Sequence, residues 1–64
     1  MRIDRIKLIT EMAKRNMTQK ELAELAGISR VSVSAIKNGK SCSNDIGIKI
    51  AEALHMPIEK LLEK

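Results

Sequence analysis

The sequence predicts an all-α fold of five short helices, and three kinds of observation predict it. Apolar residues recur at helical spacing, as in Ile6, Ile9 and Ala13 or Ile46, Ile50 and Leu54. Side chains suited to starting a helix, Thr18 and Ser29, stand just before two of these patterns. Residues that end or restart helices, Gly27, Asn38-Gly39 and Pro57, fall between them. The chain has 64 residues, which is one domain. A chain of this size buries only about 60% of its unfolded surface, so its helices must pack well or pair with another copy.

The first helix is expected over residues 2–14. Ile6, Ile9 and Ala13 follow i, i+3, i+7, with Leu8 and Met12 widening the stripe and basic side chains around it. Arg15-Asn16 ends it. Thr18 and Glu21 then form a capping box, hydroxyl and carboxylate each meeting an amide left open at a helix start. Met17 and Leu22 occupy the two positions of a hydrophobic staple. The second helix runs from this cap to about Ala26 and buries Leu22, Ala23 and Ala26. Gly27 can take the left-handed conformation that stops it.

The same grammar then repeats. Ser29 caps a third helix, Ile28 and Val33 staple it, and Asn38-Gly39 closes it. Two capped helices joined by a short glycine turn, residues 18–38, outline a helix-turn-helix. Val33 and Ile36 point inward on the third helix, whereas Val31, Ser34 and Asn38 point outward, flanked by Arg30 and Ala35. A solvated face more often carries Glu and Lys, which favour helix, than Ser and Val. Small outward side chains let a helix sink into a major groove. There an arginine can read guanine, and Val or Ala can meet a thymine methyl.

Residues 39–44, GKSCSN, read as a loop. The fourth helix starts near Asn44-Asp45 and runs to Leu54. Gly47 inside it costs about 1 kcal/mol against alanine, which implies a close backbone approach. Pro57 is tolerated in a first turn, so a fifth helix is expected to begin there and to include Ile58, Leu61 and Leu62.

Composition narrows the function. The net charge is +4, with 44% hydrophobic and 31% charged residues, as in a globular protein. Residues 25–44 carry Arg30, Lys37 and Lys40 and no carboxylate, a distribution that suits a phosphate backbone. Aromatic residues are absent, which argues against the stacking platforms of single-strand and RNA readers. No apolar run approaches a membrane span and no signal peptide is evident, so a cytoplasmic location is expected. The single Cys42 cannot form an internal disulfide or a zinc site, and His55 is the lone histidine. With no acid–base pair, phosphate-cradling loop or metal cluster, the sequence implies no enzyme, cofactor or metal.

TQKELAELAGIS, followed by VSAIKNGK and IKIAEALHM, resembles the lambda-repressor-like helix-turn-helix domain of the Cro/C1 or XRE type. The resemblance spans roughly residues 6–62. It implies a five-helix fold and binding of double-stranded DNA by a small bacterial or phage transcriptional regulator, a repressor being the expected form. It implies that Gln19 contacts a phosphate from the start of the second helix. Arg30, Val31, Ser34 and Ala35 occupy the base-facing positions, and Ser29, Asn38 and Lys40 the phosphate-facing ones. The chain departs from the pattern at Lys37, where many relatives have Glu, at His55, where Gly is common, and at Pro57, where Ser is common. Lys37 is expected to add a backbone contact, and the other two departures lie away from the DNA face. Relatives often pair through the last helix, which makes Ile58, Leu61 and Leu62 candidates for a homodimer interface, Leu61 and Leu62 foremost; the other reading has these residues closing the core. The competing function is an XRE-like antitoxin or adaptor whose main partner is a protein.

Overall fold

Four α-helices and one closing turn make up the computed structural model, which describes residues 1–63: α1 (Arg5–Lys14), α2 (Gln19–Ala26), α3 (Arg30–Lys37), α4 (Asn44–Ala53) and a 3-10 turn over Ile58–Lys60. The architecture is all-helical, and the expected fifth helix is this single turn. It stops at Lys60 because the next residues pair with the start of the chain: the Leu61 carbonyl accepts from the Asp4 amide at 2.7 Å and Leu62 bridges to Ile3.

Each helix start is held by a side-chain oxygen. Asp4 accepts from the amides of Ile6 and Lys7, Ser29 from Ser32 and Ser43 from Ile46. Thr18 and Glu21 close the expected capping box at 3.1 and 3.0 Å. Each helix end uses one device. The amides of Asn16, Gly27, Gly39 and His55 bond the carbonyl three residues back. The next amide along, of Met17, Ile28, Lys40 and Met56, bonds the carbonyl five back. All four turning residues have positive φ, 51° at Asn16, 72° at Gly27, 92° at Gly39 and 56° at His55. The following residue normally folds onto the helix it leaves, and Met17, Ile28 and Met56 do pack against the core. Lys40 is the exception, and it is exposed.

Leu22, Val33, Ile36 and Ile50 lie in one core with Leu8, Met12, Leu54 and Leu61, as α2 packs on α3 and α4 while α1 packs on α3. Two expectations for the first helix need correction. It begins at Arg5 and not at residue 2, because the Asp4 carboxylate caps it there. Its buried stripe runs through Leu8 and Met12, while Ile6 and Ile9 are 60% and 39% exposed.

Residues 1–4 form an extended clasp between two other segments. The Met1 amino group donates to the Cys42 carbonyl and the Cys42 amide donates back to Met1, both at 2.9 Å. On the other side, Asp4 donates to the Leu61 carbonyl at 2.7 Å and Glu63 to that of Arg2 at 3.0 Å. Ile3 pairs with Leu62 in an isolated antiparallel bridge and is fully buried. Gly47 does face a close neighbour, but that neighbour is a side chain: a Cβ there would run into Met1 Sδ.

Candidate nucleic-acid interface

α3 is built to be held from one side. Val33 and Ile36 anchor it in the core, and the Ser29 hydroxyl, 3.2 Å from the Ser32 amide, fixes its start. The outward face then carries side chains with no partner in the fold. Val31 is 78% exposed, the largest exposure among the bulky apolar residues. Arg30 beside it is exposed, while Ser34 and Ala35 are half-buried and keep the face shallow. Burying a valine is worth about 1.5–3 kcal/mol. Nothing in the described residues collects that gain at Val31.

The residues expected to contact phosphate come from α2, from α3 and from the turn that follows it. Gln19 opens α2 and is half-buried; Ser29 and Asn38 cap the two ends of α3 and are exposed. Lys37 lies in the last turn, where its charge complements the carbonyl end of the helix dipole. Lys40 takes the position at which the other three helices fold back an apolar residue, so its exposed cation costs the fold an apolar contact. Leu61, by contrast, fills the core of its own chain with no exposure, so it offers no surface to a second copy. Leu62 is half-buried in the bridge to Ile3.

Sequence reasoning missed Arg2 and Arg5. Arg2 Nη2 donates to the Gly39 carbonyl at 3.0 Å, and Arg5 Cδ lies 3.9 Å from where a Gly39 Cβ would stand. Their partner is 37 residues from Arg2 in sequence, so no local signal could have found the pairing.

Arg15 and Glu11 join the end of α1 to the end of α4. Arg15 Nη1 donates to the Glu11 carbonyl at 2.9 Å and to its Oε1 at 2.7 Å, and Nη2 reaches the Leu54 carbonyl at 2.7 Å. The Arg15 guanidinium holds the Glu11 carboxyl below its ordinary value, partly opposed by burial and helped by Lys14. Burial pushes the Cys42 thiol up, against the pull of the nearby Met1 ammonium, which leaves it a protonated, weak nucleophile at neutral pH. No three His, Cys, Asp or Glu cluster to hold a metal among the described residues, and none of the helices there is long and apolar enough to cross a membrane.

Comparison with known proteins bears on the fold and the family. Among solved structures, the chain is similar to native PhpD with cadmium atoms, at 28% identity and a TM-score of 0.86. It is similar to a mutant hydroxyethylphosphonate dioxygenase at 28% identity and 0.88, and to PhpD with cadmium complexed with hydroethylphosphonate at 28% and 0.85. In each case the match covers 100% of this chain and 14% of the other, so the chain spans a small part of those proteins. No curated protein matches it. The family model described as Helix-turn-helix matches residues 8–61, most of the chain including α2, the Gly27 turn and α3. The chain belongs to the XRE, or lambda-repressor-like, helix-turn-helix family, a DNA-binding fold.

Proposed function

We propose that the protein is a sequence-specific binder of double-stranded DNA that regulates transcription, as a repressor, by inserting α3 into the major groove. The observation that carries this reading is the unpartnered outer face of α3, with Val31 at 78% exposure between Arg30 and small side chains. Arg30 sits in the first turn, the end that a recognition helix presents to base edges. Its guanidinium donates two hydrogen bonds to guanine, worth about 1–3 kcal/mol of discrimination. Val31 meets a thymine methyl, and Ser34 and Ala35 complete the base-facing surface. Gln19, Ser29, Lys37, Asn38 and Lys40 bind the flanking phosphates and set the register. A repressor then acts by occupying its site. If two copies bind together, their half-sites lie about one helical turn, roughly 34 Å, apart.

The test is selection of bound duplexes from a random library, followed by titration of variants against the selected site. Arg30→Ala is expected to stay folded by circular dichroism and to lose preference at one base pair per half-site. Val31→Ser is expected to lose preference at a neighbouring pair. Base preference unaltered in folded Arg30→Ala would sink direct readout.

A second reading is a protein-interaction module of antitoxin or adaptor type. It draws support from apolar surface outside α3, with Leu25 of α2 63% exposed. On that reading the chain binds duplex DNA no more tightly at a selected site than elsewhere, and changing Leu62 or the exposed Leu25 releases a protein partner.

A further inference from the structure

The C-terminal end of α3 gathers cations from two separate segments. Lys37 and Lys40 come from the helix and its exit turn, and Arg2 and Arg5 reach the same turn from the start of the chain. One or two cations would satisfy the carbonyl end of a helix dipole. Like charges gathered near one turn raise the local positive potential and favour an anionic counterpart. The fold supplies little of it. Asp4 is occupied in capping α1 at 2.9 and 3.2 Å. Glu63 reaches Arg2 alone, at 3.4 Å, with both side chains at least half exposed. No carboxylate among the described residues lies within ion-pair distance of Arg5, Lys37 or Lys40.

We propose that Arg5, with Arg2 beside it, binds a backbone phosphate of duplex DNA next to the one held by Lys40, which makes the N-terminal clasp a second anchor for the recognition helix. This inference rests on the DNA-binding reading above and adds residues from outside the helix-turn-helix. The clasp carries Arg2 and leads directly into Arg5, the first residue of α1. The clasp's hydrogen bonds to residues 42 and 61 hold the start of the chain beside Gly39, where Arg2 is fixed by its bond to the Gly39 carbonyl and Arg5 passes close by with its guanidinium unpaired among the described residues. Glu63 competes with that phosphate for Arg2.

The experiment is fluorescence anisotropy of the full chain with a labelled duplex of mixed sequence, because a phosphate contact carries no base preference. Affinity is measured at salt concentrations from roughly 50 to 200 mM. Arg5→Ala is expected to flatten the log–log salt slope by about 0.9, the value for one phosphate contact, and Arg5→Lys is expected to keep it. Glu63→Gln, at an exposed site, is expected to tighten binding at low salt. Should Arg5→Ala fail to fold, Arg5→Gln and Glu63→Gln carry the test with the same signs. A purely structural role predicts a lower melting temperature with an unchanged slope, and that result in a folded Arg5 variant overturns the anchor while leaving DNA binding intact. A wild-type chain that binds no duplex even at low salt overturns the DNA-binding reading and the anchor together.

Discussion

At the scale of single residues, His55 is the position where chemistry and conformation conflict most. Its φ of 56° lies in the left-handed region, and the side chain gains no hydrogen bond within the described residues for being there. A left-handed L-residue costs about 1–2 kcal/mol. Glycine would remove that cost but free the unfolded chain, giving back about 0.4–1 kcal/mol. His55→Gly is therefore expected to stabilise the fold by about 0.5–1 kcal/mol, seen as a melting temperature higher by about 3–6 °C. A branched residue such as Val at the same place should lower it. Asn16 shares the conformation, at 51°, but asparagine tolerates it better, so Asn16→Gly is expected to gain less. The family resemblance exposed His55 as a departure. Only the backbone angle explains what the departure costs.

At the scale of elements, the helix-turn-helix was legible because its determinants are local. The capping box joins residues three apart, and each staple spans a cap, so Thr18, Ser29 and Gly27 could be assigned from order alone. The phase of α1 was not legible in the same way. Ile6 and Ile9 are as apolar as Leu8, and which stripe turns inward depends on where α3 lies. Nor did the basic residues around α1 declare which of them is tied down. Arg15 is, since it joins the end of α1 to the Leu54 carbonyl at the end of α4. Arg15→Ala removes charge-assisted hydrogen bonds at a site only 30% exposed and is expected to cost about 1–2 kcal/mol. The pH dependence follows from its partner. Glu11 has a folded-state pKa below its ordinary value of 4.5, so the stabilisation it contributes is present above that value and is lost as pH falls through the folded one. Glu11→Gln is expected to flatten the acid limb of the stability curve, measured by urea titration across pH; an unchanged limb would mean that Glu11 is not responsible for it.

At the scale of the whole molecule, the clasp is the part that no local pattern could reveal. Its contacts join residues 1 and 42, and residues 3 and 62, and in isolation Ile3 looks like one more apolar position of a first helix. The domain has a small core, and chains of this size hold about 3–5 kcal/mol of stability. Ile3→Ala opens a fully buried site and is expected to cost about 2–4 kcal/mol, most of that total. A denaturant midpoint close to wild type would show the clasp to be dispensable. The same long-range placement hides the approach of Arg2 and Arg5 to Gly39 from the sequence, whereas the outward positions of Arg30 and Val31 follow from helix geometry. Residues of an interface carried within one motif can be read in order along the chain. Those delivered by tertiary contact cannot.

The clasp also carries a kinetic consequence. Contacts between distant parts of a chain wait on loop closure, whereas the two central helices and their turn can assemble from neighbours in sequence. The clasp should therefore close after the rate-limiting barrier, and its residues should contribute little to the transition state. Energy removed from such a position appears in the unfolding limb of a chevron plot: a loss of about 2 kcal/mol at Ile3 accelerates unfolding roughly thirtyfold and leaves the folding rate nearly unchanged. The lifetime of the native chain, more than the speed at which it forms, is then set by its first four residues.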